Sequence, residues 1–332
     1  MNTTQLWSVG LVACAALAGT AAQAQQAWQP ERPIEFVASA GAGGGTDIFA
    51  RAIQSVITKN KLTEAPIIVT NKGGGSGAEA YIYAKGNAGD PYKVYFGTQE
   101  VYVLPIASKL SYSVSDVTPV STMIFDPFLL WVNPESGIKD VAGFIQRAKQ
   151  GGMKVGGARA KEADETLVSQ IQNAIGAKFI YIPFRSGSET SVQLAGGHIQ
   201  ANVNNPSESL EQWRAGKQKP LCVFSAERMP GKEKVTATES WSDIPTCKEA
   251  GLDVPVFEQP RMMWLAAGTP PDAVAYYRDL FKRVSESPDW QAYVARAAQI
   301  PRVITGDALS SFVKQDQARY AGIYTENGWA KK

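Results

Sequence analysis

From Pro33 the chain reads "PIEFVASAGAGGGTDIFARAIQSV": apolar residues alternate with others up to the glycines, then recur three and four apart through Phe49, Ala50, Ile53 and Val56. A period of two belongs to a strand and one near 3.6 to a helix. The stretch therefore predicts a strand over Ile34 to Ala38 and a helix over Asp47 to Thr58. The same change of period predicts strand Ile67 to Val69, helix Ala78 to Ala84 and strand Val94 to Phe96.

A second series begins with strand Phe128 to Val132. It continues with helix Val141 to Lys149, strand Lys154 to Val155, helix Ala163 to Ile175, strand Phe179 to Ile182, helix Thr190 to Ala195 and strand Ile199 to Val203. One more strand, Trp264 to Ala266, precedes a helical tail from Pro271 to Tyr324. Alternation of this kind predicts an α/β protein with parallel sheets and crossover helices. Two such units follow one another, and a tail of that length returns to cover the first. The predicted division is residues 25–125 with 260–332 in one lobe and 126–259 in the other, with crossings near Phe125-Asp126-Pro127 and Gln259-Pro260 acting as a hinge.

The candidate chemistry lies where strands give way to helices. Gly43-Gly44-Gly45-Thr46-Asp47 and Gly73-Gly74-Gly75-Ser76-Gly77 follow successive strands, and free amides at a helix start, aided by the helix dipole, hold anions. Both turns open on the edge where parallel sheets bind ligands. In the second unit Gly156-Gly157-Ala158-Arg159 and Arg185-Ser186-Gly187-Ser188 occupy the same kind of position. A nucleotide is excluded: Thr46 stands where G-x-G-x-x-G needs its third glycine, and neither turn supplies G-K-[ST].

Composition narrows the partner. Lys plus Arg number 33 and Asp plus Glu 31, so no global field attracts nucleic acid or an anionic membrane, and a small molecule is the expected partner. The single histidine, His198, sits in "AGGHIQANV" and reads as a loop residue. G-x-S-x-G and H-E-x-x-H are absent, and one histidine leaves no transition-metal site. No cofactor is expected. An enzyme using Asp47 or Glu189 as a base is the rival, and it lacks a second titratable partner in sequence.

Residues Leu6 to Ala22 are apolar or small and lead to Ala22-Gln23-Ala24, a pattern for signal cleavage that predicts an exported chain starting at Gln25. A transmembrane anchor is the competing reading of this segment, and acylation at Cys14, in Leu11-Val12-Ala13-Cys14, is a further alternative. Cleavage leaves Cys222 and Cys247, an even pair in an oxidising compartment, and predicts that they are bonded rather than free buried thiols.

"GGGTDIFAR" (Gly43 to Arg51), "NKGGGSGAEAY" (Asn71 to Tyr81), "GAKFIYIPFRSGSE" (Gly176 to Glu189), "VQLAGGHIQANVNNPSE" (Val192 to Glu208), "WRAGKQKPLCVF" (Trp213 to Phe224) and "SDIPTCKEAGLDV" (Ser242 to Val254) together resemble the substrate-binding proteins of tripartite tricarboxylate transporters, the Bug-type solute receptors. The resemblance runs in order through nearly the whole mature chain. It implies a two-lobed, type II-like periplasmic binding fold, monomeric, which closes on a carboxylated solute and passes it to membrane permease subunits. A ligand sensor that signals to a membrane kinase shares this fold.

The resemblance carries ligand binding onto Gly44, Gly45, Asp47, Ser76 and Gly77 in the first lobe, with Thr98 counted beside them. In the second lobe it carries onto Arg185, Ser186, Gly187 and Asn205. Two positions depart from the family pattern: Ala42 stands where proline is usual, and Ala158-Arg159-Ala160 replaces a loop of Gly and Ser. With Arg159 and Arg185 on one wall and neutral amides plus Asp47 on the other, a diacid held at both ends is the expected ligand. Met262, Met263 and Trp264 are core residues in this reading, or line the middle of the site.

Overall fold

The computed structural model describes residues 28–331. The predicted leader, its cleavage point after Ala24 and Cys14 lie outside the described residues. In chain order the elements are β1 (Ile34–Ala38), α1 (Gly45–Lys59), β2 (Ile67–Asn71), α2 (Ala78–Gly86), β3 (Lys93–Gly97), α3 (Glu100–Ala107) and β4 (Val117–Pro127). There follow β5 (Leu129–Val132), α4 (Val141–Lys149), β6 (Lys154–Ala158), α5 (Ala163–Ile175), β7 (Ile180–Phe184), α6 (Gly187–Ala195), β8 (Ala201–Asn204), α7 (Pro206–Arg214) and β9 (Lys219–Val223). The chain ends with β10 (Glu258–Ala266), α8 (Pro271–Glu286), α9 (Pro288–Arg296), β11 (Ile300–Pro301) and α10 (Gly306–Glu326).

Two sheets divide these strands. The first has the order β11-β4-β10-β3-β1-β2 and the second β7-β6-β8-β5-β9. The chain passes from the first to the second through Phe128 alone, between β4 and β5, and returns between β9 and β10. Strands β1, β2 and β3 are parallel, as are β6, β7 and β8, whereas β10 runs antiparallel to β3 and β4, and β5 antiparallel to β8 and β9. Both sheets are therefore mixed rather than wholly parallel. The reason is that the strands entering and leaving each unit carry the crossings and lack the crossover helix that sets a parallel neighbour.

The core follows the strand period. Ile34, Phe36 and Ala38 of β1 pack with Phe49 and Ile53 of α1, Phe96, and Phe281 and Trp290 of α8 and α9. Val37, on the opposite face, joins Tyr81, Tyr95, Trp264 and residues of α10. Helices α8 and α9 lie against α1, and α10 against α3 and β4, so the C-terminal helices cover both faces of the first sheet. Under the second sheet Trp213 and Trp241 meet edge to face with centroids 4.7 Å apart, and Trp131 lies 6.0 Å from Trp213. Cys222 of β9 is bonded to Cys247, with Cα atoms 4.8 Å apart. Among the described residues no helix is long and apolar enough to cross a membrane.

Candidate functional site

The carboxyl ends of β1, β3, β6, β7 and β8 converge on one cavity of about 440 Å³, with β10 as its floor. This is the edge where strands of an open α/β sheet hand over to helices and leave amides unpaired. The first wall is built from Ala40, Gly41, Ala42, Gly44, Gly45 and Thr46, with Thr98 and Glu100. The second is built from Ala158, Arg159, Glu162, Asp164, Arg185 to Gly187, Glu189, Asn205 and Glu208, and Gln259 and Arg261 form the floor.

Helix α1 starts at Gly45, with Gly44 as its N-cap, because apolar spacing through Phe49, Ile53 and Val56 fixes its buried face. Its first internal bond is Ile48 N–H to Gly44 C=O at 3.0 Å, so the amides of Gly45, Thr46 and Asp47 have no acceptor within the helix. The Arg261 guanidinium lies against this turn: its Nη1 donates to Thr46 Oγ1 at 3.2 Å. A Cβ on Gly45 would stand 2.4 Å from Arg261 Nη2, which is why only glycine fits there. Arg261 also donates through Nε to Asp126 at 2.6 Å, joining the two long strands that carry the crossings.

Glu100 follows β3 and is 3% exposed. It accepts from Ser39 Oγ at 2.5 Å, Tyr81 OH at 2.9 Å, the Thr98 amide at 2.8 Å and the Thr98 hydroxyl. On the opposite wall Arg159 donates through Nη1 to Ser76 C=O at 2.9 Å and to Glu162 Oε2 at 3.1 Å. The bond to Ser76 crosses the cleft. A second bridge lies behind it, where Tyr324 of α10 donates to the carbonyl of Lys161 and Ser169 Oγ to Asn327 Oδ1 at 2.5 Å.

Burial sets the protonation of this wall. It pushes Glu162 up to about 7 although Arg159 pulls the other way. It pushes Asp164 well above the ordinary carboxyl range against a bond from the Ala158 amide. Glu208 is also raised by burial, with Arg261 and the Gly45 amide offsetting part of the effect. Taking a carboxylate out of water disfavours its charged form unless cations compensate.

Of the residues picked from sequence, the structure brings Gly44, Gly45, Thr98, Arg159, Arg185, Ser186, Gly187 and Asn205 to the cavity. Ser76 lines an adjoining groove that shares Gly41, Arg159 and Arg185 with it. Gly77 stands behind that groove, with φ +95° and room for a Cβ blocked by Ser39 C=O at 2.8 Å. Asp47 is turned away from the cavity: its carboxylate accepts from the Gly43 amide, Arg51 Nε and Asn71 Nδ2, each at 2.9 Å. Burial raises its pKa, but these three donors outweigh it and hold the carboxyl below its ordinary value. Its role is to brace the glycine turn. Met262, Met263 and Trp264 are fully buried in the core. His198 is exposed in the bend after α6. The described residues contain no cluster of three side chains able to hold a metal.

Sequence reading overlooked Glu100, Glu162, Asp164, Glu208 and Arg261. Arg261 had a signal, being a charge inside the apolar run "PRMMWLAA", since a charge there must be paired or functional. Glu100 had one as well, four residues after the predicted strand ending at Phe96.

Residues 49–328 match the family described as the tripartite tricarboxylate transporter family receptor. A UPF0065 protein from the gbd 5' region of Cupriavidus necator is 27% identical over 330 residues, covering 97% of this chain and 96% of the relative. Among solved structures, a TctC solute binding protein from Polaromonas is 26% identical with a TM-score of 0.66, over 90% of this chain and 99% of that one. The periplasmic binding protein BugD superposes with a TM-score of 0.80 at 21% identity, over 91% of this chain and 100% of that one. That fold is the two-lobed α/β arrangement described above.

Proposed function

The chain belongs to the family of tripartite tricarboxylate transporter receptors, and from that premise we propose that it is a periplasmic receptor which captures a small carboxylated solute between its lobes and delivers it to the transporter's membrane subunits. The observation that carries this reading is the pairing of the first turn of α1, with amides free of helical partners, and the Arg261 guanidinium beside it on the cavity floor. Amides at a helix start and a buried guanidinium together make a carboxylate site. A micromolar affinity needs about 8 kcal/mol, and one helix terminus contributes only about 0.3–2 kcal/mol. Closure of the second wall supplies the difference by excluding water.

The lobes, residues 25–125 with 260–332 and residues 126–259, turn about the two crossings. The contacts Arg159 to Ser76, Tyr324 to Lys161 and Ser169 to Asn327 then belong to the closed state. A solute that bridges the walls favours this state, which is how membrane subunits distinguish a loaded receptor from an empty one. The site residues proposed for the solute are Gly44, Gly45, Thr98, Arg261 and Asn205, with Ser76, Arg159, Arg185, Ser186 and Gly187 closing around it.

The test is a thermal-shift screen over carboxylic acids, followed by calorimetry and by chromatography of the ligand after prolonged incubation. At least one acid is expected to raise the melting temperature by several degrees, bind with one-to-one stoichiometry and be recovered unchanged. Conversion of the acid, or binding that survives Gly45→Leu in a folded variant, would overturn the reading.

A further inference from the structure

Among the described residues five other than glycine hold a positive φ, and three of them meet where the lobes touch: Ser76 at 62°, Arg159 at 60° and Lys161 at 56°. A side chain makes that backbone conformation costly, so it persists where surrounding contacts over-determine it. In the turn after β6 the Arg159 backbone is held within its own lobe. Its amide donates to Phe184 C=O at 2.7 Å, and its carbonyl accepts from Tyr181 OH at 2.7 Å. The carbonyls of Ser76 and Lys161 are instead met from the opposite lobe. Arg159 Nη1 donates to Ser76 at 2.9 Å, and Tyr324 of α10 donates to Lys161. Each lobe thus turns one strained carbonyl toward a donor on the other.

The contact has the make-up of an interior. Tyr324 and Ser169 are buried, and Ser169 Oγ of α5 donates to Asn327 Oδ1 at the end of α10, at 2.5 Å. Glu162 Oε2 lies 3.1 Å from Arg159 Nη1 and steadies the guanidinium that reaches Ser76. Tyr324 packs edge to face on Trp329, with centroids 5.6 Å apart. One apolar cluster runs from Tyr320 and Tyr324 of α10 to Ala163, Leu167 and Val168 of α5. Lys161, Ser169, Tyr324 and Asn327 all lie outside the cavity lining. A solute held in the cavity therefore does not touch them, and their bonds need no solute to form.

We propose that the end of α10 and the turn between β6 and α5 form a latch that holds much of the empty receptor closed. This rests on the reading that the lobes turn about the two crossings, and it is indifferent to which solute the cleft takes. The crossings are permanent because the backbone makes them. The latch is a third tie, made of side-chain bonds, and it can be undone. On opening, water replaces each lost partner, so a bond adds only its net worth to closure, about two- to tenfold in the closed-to-open ratio. That ratio sets the apparent affinity, because a receptor whose competent form is partly populated binds more weakly in proportion. The latch fixes the starting population, and a solute shifts the remainder.

The experiment is small-angle X-ray scattering from the solute-free mature protein, fitted as a mixture of this closed form and an opened form. The opened form is taken from the triple variant Arg159→Ala, Tyr324→Phe, Asn327→Ala, which loses all three bonds. The wild type is expected to be at least about half closed, and Tyr324→Phe and Asn327→Ala should each lower its closed-to-open ratio about two- to tenfold. Asn327→Ala, at a half-buried helix end, decides the matter if Tyr324→Phe does not fold. Tyr102→Phe is the control. It loses a tyrosine hydroxyl bond to Asp316 within one lobe and should leave the curve unchanged. Equal expansion in Tyr102→Phe, or single variants no more open than the wild type, overturns the latch. A wild type as open as the triple variant also overturns it and leaves closure to the solute alone. A triple variant that still scatters as the closed form overturns the latch and the turning of the lobes together.

Discussion

Arg261 of β10 and Asp126 of β4 form an ion pair with side chains 4% and 0% exposed, at the place where both strands leave the first sheet for the second. The pair ties the two crossings together, and Arg261 also reaches Thr46 at the start of α1. Hinge and binding turn therefore share one guanidinium.

Removing one partner of such a pair leaves the other charged and buried. Arg261→Met is expected to lower stability by about 3–5 kcal/mol, the more so because Asp126 Oδ1 already has no partner. Adding Asp126→Leu should restore most of the loss, since two apolar groups of similar volume need no compensation. Urea unfolding of the single and double variants measures this. A double variant no more stable than Arg261→Met would show that the loss comes from packing rather than from the stranded charge.

The Cys222–Cys247 bond closes a loop with a sequence separation of 25. Restricting an unfolded chain by a loop of that size stabilises the fold by about 3–4 kcal/mol on the chain-entropy account. Replacing both cysteines by alanine should lower stability by up to that amount while leaving ligand affinity within about twofold, because the bond lies behind the second sheet, among Val223, Val254 and their neighbours, and away from the cleft. Paired unfolding and binding curves decide it. An affinity loss of tenfold or more would mean that the bond orders the binding wall.

How much was legible in the sequence depended on whether a residue's neighbours in space were also its neighbours in the chain. The glycine turns, the parallel strands β1 to β3 and β6 to β8, and the helices between them declared themselves because period and turn chemistry are local. Strand β4 did not, since Pro119, Ser121 and Thr122 interrupt its apolar pattern and its order comes from pairing with β10. Helix α3 was missed because "EVYVLPIA" is apolar and β-branched, which suits a strand better than a helix. The predicted unbroken tail is interrupted where Pro288 starts α9 and where Ile300 and Pro301 pair with β4. At the site, the sequence showed which turns carry donors. It could not show that Asp164 and Glu189 fold back onto the amides of Ala158 and Arg185, or that Glu208 lies over the first residue of α6.

Glu162 makes the acidic wall testable without any ligand. Its side chain is 13% exposed, and burial pushes its pKa from an ordinary 4.5 to about 7, with Arg159 opposing and Glu100 adding to the rise. The folded protein thus holds this proton more tightly than the unfolded chain does. The associated stability is complete below about pH 4.5 and is lost as pH climbs through about 7. Asp164 and Glu208, raised in the same direction, steepen the loss. Ligand-free protein is therefore expected to lose stability between pH 5 and pH 8, and Glu162→Gln, which cannot titrate, should remove on the order of 2–3 kcal/mol of that decline. Arg159 keeps its bond to Ser76 in the variant, so the walls retain their bridge. Urea unfolding at three pH values across the window, for wild type and variant, provides the measurement. Parallel pH profiles for the two proteins would mean that Glu162 stays ionised in the folded state and that the charge on this wall is already balanced.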